Sequence, residues 1–223
     1  MAKALRLWVN FAVLFGMLWL FGCGGKDLTG GSIPPGNPGP ARIVGVVMDA
    51  EEPSVPLADA EVEIVTEDGS RFVTRTDTDG MFVVEVPRGK KCIIRIRPPG
   101  GMMGQFQPRE DELVADAEEV RLLLPLWRIG VSFPPDAVAE LRLHPSQVMM
   151  RVGEKVTFEV EVQLLTQPTS PLPLPVWSVH GRVGIILPTN QLTATFVATR
   201  AGEGRVKVRL GRNVAEAKVK VVE

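Results

Sequence analysis

From residue 41 onward the chain alternates apolar and polar positions in short runs broken by turn residues. Ile43–Met48, Val62–Thr66, Arg71–Thr76, Met81–Val86, Cys92–Arg97 and Val120–Leu124 each have the length and period-two texture of a strand. Asp68-Gly69, Asp79-Gly80 and Pro87-Arg88-Gly89 sit between consecutive runs and predict tight turns. The same texture resumes at Leu141–Leu143 and continues through Val148–Val152, Val156–Leu164, Val176–Val179, Ile185–Leu187, Leu192–Phe196, Arg205–Leu210 and Val214–Val222. No stretch after residue 40 carries a helical period. The pattern predicts an all-β protein of two antiparallel β-sandwich domains, 41–127 and 137–223, joined by a proline-stiffened linker at 128–136.

The first 40 residues have a different texture. Lys3 and Arg6 precede an apolar run, Leu7–Phe21, interrupted only by Asn10 and Gly16. As a helix this run reaches roughly 22 Å, short of the ~30 Å hydrocarbon core, which argues for an export signal over a permanent span. Leu20-Phe21-Gly22-Cys23 resembles the cleavage motif of bacterial lipoproteins, with Phe21 where that motif usually has a small or β-branched residue. The resemblance implies removal of residues 1–22 and a lipid on Cys23, which makes the membrane a partner through that lipid. Gly24 follows the cysteine where aspartate would resemble an inner-membrane retention signal, so the outer membrane is expected in a two-membrane bacterium. Residues 23–40 are then a Gly/Pro-rich tether with almost nothing to bury.

Two further resemblances follow from ordered features within the strand regions. Gly45-Val46-Val47, Pro56-Leu57-Ala58, Thr76-Asp77 to Gly80 with Phe82, Val86-Pro87 to Gly89 and Pro98 to Gly100 resemble the carboxypeptidase regulatory-like family in order and spacing. This implies a transthyretin-like (prealbumin) fold and a non-catalytic accessory module. Pro145, Val152-Gly153-Glu154, Trp177 and the Gly202–Gly204 turn resemble the group-two bacterial Ig-like domain. That resemblance implies an adhesion or spacer module with Trp177 in its core.

Charge adds an asymmetry that the near-neutral total of −1 conceals. Residues 41–127 carry 10 Lys and Arg against 17 Asp and Glu, whereas residues 137–223 carry 11 against 7. The two halves could attract each other or face different partners; solvated surfaces of opposite bias are the simpler expectation. Nothing in this balance points to nucleic acid. Arg205, Lys207 and Arg209 alternate with Val206, Val208 and Leu210, which predicts three cations on one solvent face. That strip is a candidate contact for an anionic envelope polysaccharide; protection of an edge strand is the simpler expectation.

Catalytic chemistry is thinly represented. With Cys23 assigned to a lipid, Cys92 is the remaining cysteine and reads as a small core residue. His144 and His180 adjoin proline and glycine and read as loop residues. Asp77-Thr78-Asp79-Gly80 lacks the glutamate that would close a calcium loop and reads as a β-turn. No catalytic residue, metal or cofactor is expected. The sequence reading is a lipid-anchored envelope protein serving as a non-catalytic binding, adhesion or spacer module. The alternative is an accessory subunit of an envelope export or carbohydrate-uptake complex, docked through its acidic half to an envelope protein.

Overall fold

The computed structural model describes residues 39–130, 137–165, 172, 174–188, 190 and 192–223. The signal, Cys23, nearly all of the tether and residues 131–136 of the linker lie outside the described residues. The described chain is strands and turns, with one three-residue 3-10 turn at Gly100–Met102.

Among the described residues fifteen strands form three sheets. From the first half come β1 (Ala41–Asp49), β2 (Glu61–Thr66), β3 (Arg71–Arg75), β4 (Met81–Val86), β5 (Lys91–Arg97), β6 (Arg109–Val114) and β7 (Glu119–Leu126). From the second come β8 (Val138–His144), β9 (Gln147–Arg151), β10 (Lys155–Leu164), β11 (Val176–His180), β12 (Gly184–Pro188), β13 (Thr193–Ala198), β14 (Gly202–Leu210) and β15 (Asn213–Val222). Each half supplies one four-stranded sheet of its own, in the orders β3-β2-β5-β6 and β12-β13-β10-β8. The third sheet is built from both halves, in the order β4-β1-β7-β11-β14-β15-β9.

This differs from two purely antiparallel sandwiches in two respects. The β1–β7 and β15–β9 ladders are parallel. Moreover β7 does not close the first half as an edge; it pairs antiparallel with β11, aligning Trp177 with Leu123 and His180 with Val120. The physical reason lies in the side chains of β7. Val120, Leu122, Leu124 and Leu126 enter a core with β2, β5 and Phe82, while Leu123 enters a second core with Trp177, Phe158 and Phe196. Alternate residues point to opposite faces, so the middle of the long sheet is covered on both sides. A continuous apolar run is what such a strand requires. β11 behaves likewise, sending Val176 to the first core and Trp177 and Val179 to the second.

The turns fall where expected. Gly69, Gly80 and Gly89 all have positive φ. At Gly80 the requirement is doubled, because a Cβ there would lie 2.5 Å from the Val47 carbonyl oxygen. Gly45, opposite Phe82 in the β1–β4 register, leaves the space that the buried Phe82 ring occupies. The strand absent from the sequence reading is β6, whose REDELV buries only Leu113 fully and so gives almost no apolar alternation. In the Gly/Met loop before it, Phe106 is buried in the first core while Met102 and Met103 stay exposed.

Candidate functional site

Ser178 and His180 occupy alternate positions of β11 and therefore share a face, the one directed toward the first half. Asp116, in the β6–β7 connection, meets His180 from that side. Its Oδ1 contacts His180 Nδ1, and its Oδ2 accepts from Arg205 at 2.7 Å and Lys207 at 3.0 Å. Ser178 Oγ lies 3.1 Å from His180 Nε2. Glu216 on β15 stands 3.6 Å from both cations. The cluster is largely withdrawn from solvent, with His180 2% and Ser178 7% exposed.

The electrostatics follow from this crowding. Burial pushes the His180 pKa down and Lys207 adds to that, against the opposing pull of the Asp116 carboxylate. Burial alone would raise Asp116, but the His180 hydrogen bond and Lys207 outweigh it and hold the carboxyl at about 2. The imidazole is thus neutral beside an ionised carboxylate. In that state Nδ1–H donates to Asp116, and Nε2 accepts the Ser178 hydroxyl proton.

Arg205, Lys207 and Arg209 do share one face of β14, but that face turns toward the first half. Arg205 and Lys207 are committed to Asp116, and Arg209 stands 4.0 Å from Glu112 on β6. The open solvent strip is therefore corrected to a half-buried row of ion pairs. Its charge was legible, but the carboxylates lie about ninety residues away in sequence. Arg182–Glu118 at 2.9 Å extends the same pairing of a basic second half with an acidic first half. The histidines also move from their expected loops: His144 and His180 end strands β8 and β11. His144 is exposed beside Glu161 at 3.2 Å, whereas His180 is a central interior residue. The period-two placement of Ser178 and His180 was available in the sequence as a signal. Asp116 carried none.

Ser178, His180 and Asp116 have the connectivity of a nucleophile, base and orienting acid. Two features distinguish the cluster from a triad open to substrate. β11 is hydrogen-bonded on both sides, to β7 and β14, so its ladder-forming amides are not free to hold an oxyanion. The serine is also nearly inaccessible, above a cavity of about 210 Å³ with apolar walls from Ile94, Leu113, Leu122 and Leu124. The full chain is expected to hydrolyse p-nitrophenyl acetate no faster than Ser178→Ala. A reproducible rate that the substitution removes would make this cluster an active site.

Two other features complete the picture. Cys92 is buried, and burial, followed by the Glu67 and Asp68 carboxylates, lifts its thiol pKa to about 11. It is a packing residue, not a nucleophile at neutral pH. Trp127 lies where the halves meet, under the Arg109 guanidinium at 5.4 Å, beside a cavity of about 280 Å³ that Leu174 and Leu210 also line. Among the described residues no group of three His, Cys, Asp or Glu side chains is placed to hold a metal ion.

A larger, more polar cleft of about 750 Å³ opens beside the His180 cluster, between the β4–β5 turn and the strands β9, β14 and β15. Arg88, Arg182, Arg205, Lys218 and Lys220 line it, against the carboxylates Asp116, Glu118 and Glu203.

No protein-family model and no curated protein matches the chain. Among solved structures it is similar to domains 4 and 5 of the S-layer protein SbsC, with 12% identity over 74% of this chain and 77% of that one, at a TM-score of 0.32. It is also similar to the Bacillus anthracis TIE protein, with 14% identity, 82% of this chain and 34% of that chain covered, and a TM-score of 0.32. The bacterial integrin-binding protein invasin gives 16% identity, coverage of 79% and 34%, and a TM-score of 0.24. These are loose likenesses among β-strand proteins, and the architecture described above rests on the chain's own strands.

Proposed function

We propose that this chain is a lipid-anchored, non-catalytic binding module of the bacterial cell envelope. Its strand-rich body would be held away from the membrane by the Gly/Pro tether after Cys23. The observation that carries the reading is the shared seven-stranded sheet, covered on both faces at β7 and β11. A sheet running through both halves makes their relative placement a matter of backbone hydrogen bonds and core packing, suited to presenting a fixed surface. The buried polar cluster beside it serves as a joint between the halves. Gly45 against Phe82 in the first half and the interior Trp177 in the second accord with the carboxypeptidase regulatory-like and Ig-like resemblances.

The accessory-subunit alternative relied on the acidic half being available to dock another protein. Asp116, Glu118 and Glu112 instead meet Arg205, Lys207, Arg182 and Arg209 of the same chain, which favours the binding-module reading. The anchor is tested separately from the binding. Expressed in a diderm host, the wild type is expected to partition into detergent with its mature N-terminus at a modified Cys23. Cys23→Ala is expected to accumulate as an unprocessed precursor. A processed, soluble Cys23→Ala product would remove the lipid from the proposal.

A further inference from the structure

The polar cleft contains an imbalance that the fold does not settle by itself. Cross-strand partners on one sheet face stand about 5 Å apart, and like charges placed opposite each other are destabilising. Along the β14–β15 ladder, Glu203 faces Lys220 and Lys207 faces Glu216, both complementary. Between them Arg205 faces Lys218, two cations in direct register. Arg205 turns to Asp116 at 2.7 Å, and Lys220 is held by Glu203 at 3.4 Å. Lys218 is exposed and makes no ion pair among the described residues; its backbone is held in the ladders with β14 and β9, its N–H donating to the Ser146 carbonyl. Arg88 is likewise exposed and without an ion pair among the described residues. It is carried to the same cleft by the β4–β5 turn, whose Gly89 N–H donates to the Ala115 carbonyl next to Asp116.

We infer that this cleft is a binding site for a segment of an acidic polysaccharide, with Arg88 and Lys218 taking its carboxylate or phosphate groups. The inference rests on the binding-module reading and specifies its ligand class. Two cations from different sheet regions converge on one concavity without protein carboxylates of their own. Around them the cleft offers acceptors and donors for sugar hydroxyls in Glu118, Glu203 and Gln147, and an apolar contact in Met149, which is 70% exposed. At about 750 Å³ it is large enough for a short run of sugars, more than a single small anion needs. An edge-protecting lysine does not explain Lys218, because β15 is an interior strand with β14 on one side and β9 on the other.

The register makes the test unusual. Lys218→Glu converts the like-charged Arg205 pair into a complementary one, so its effects on stability and on binding should have opposite signs. The full chain, purified in neutral detergent, is applied at low ionic strength to immobilised polygalacturonate, to dextran as an uncharged control, and to phosphatidylglycerol vesicles. The wild type is expected to bind polygalacturonate in a salt-sensitive way and to ignore dextran. Lys218→Glu is expected to bind about tenfold more weakly while its Tm stays level or rises, and Arg88→Ala is expected to weaken binding in the same direction. Lys155→Ala, an exposed cation on β10 outside the cleft, should bind as the wild type does. Undiminished binding by Lys218→Glu, equal binding to dextran, or binding to the vesicles alone would overturn the polysaccharide site. Absence of all binding by a chain whose Cys23 anchoring holds would also overturn it, while leaving the anchored-module reading intact.

Discussion

Trp177→Ala is expected to lower the unfolding free energy by about 3–5 kcal/mol, the largest loss from any single truncation in the second core. Trp177 is 1% exposed, at the centre of β11, with Leu123 of β7 opposite on one side and Val208 of β14 on the other. Its core includes Phe158 and Phe196, edge to face at 6.4 Å, together with Met48 and Leu123 from the first half. A cavity at that point therefore loosens the seam between the halves and not the second half alone. In urea unfolding followed by far-ultraviolet circular dichroism, the variant should show one transition moved bodily to lower denaturant. A first half that keeps its own unshifted transition would show that the seam does not couple the two. Among the described residues the buried Trp177 indole N–H has no partner, so Trp177→Phe removes an unsatisfied donor along with volume and should cost distinctly less than alanine.

Asp116→Asn is expected to cost about 2 kcal/mol at neutral pH, discounted from fully buried values because Asp116 and Arg205 keep partial solvent contact. The substitution keeps the shape but removes the charge that Arg205, Lys207 and His180 share. Its signature is the pH dependence. The Asp116 pKa is depressed in the folded chain to about 2, so its stabilisation is present above the ordinary carboxylate range and is lost as pH falls toward that value. The His180 pKa is also depressed by burial, so on acidification the unfolded chain takes up that proton first. Stability is then complete above the ordinary histidine range and falls as pH drops below it. The wild type should lose stability in two stages, one near the histidine range and one in strong acid. Asp116→Asn should abolish its part of the acid stage and, by removing the carboxylate that opposes the burial shift on His180, deepen the histidine stage. An unchanged acid limb in the variant would mean that other carboxylates carry it.

The strands with clean alternation were legible from their residues alone. β10, β14 and β15 have side chains that choose a face by period two, and the glycines of the Asp-Gly turns supply the positive φ that a tight turn uses. Cys92 as a buried small residue and Trp177 as a core residue were legible for the same reason: local composition already told which side of a strand was dry. β6 was not, because an edge strand with one fully buried position leaves too little apolar rhythm to register.

What lay beyond sequence reading was the assembly of faces. Leu122-Leu123-Leu124 was visibly apolar, but whether such a run closes one sandwich or is shared between two cores depends on what arrives at its free edge. That arrival is β11, more than fifty residues later in the chain. The same distance hid the site. Spacing put Arg205, Lys207 and Arg209 on one face; only the pairing of β7 with β11 brought Asp116 and Glu112 against that face, and among the described residues no carboxylate pairs with Lys218. Local sequence thus determined the strands, their turns and the side each residue presents, because those depend on neighbours along the chain. Tertiary structure decided which charges meet an opposite charge, because Coulomb energy depends on distance in space.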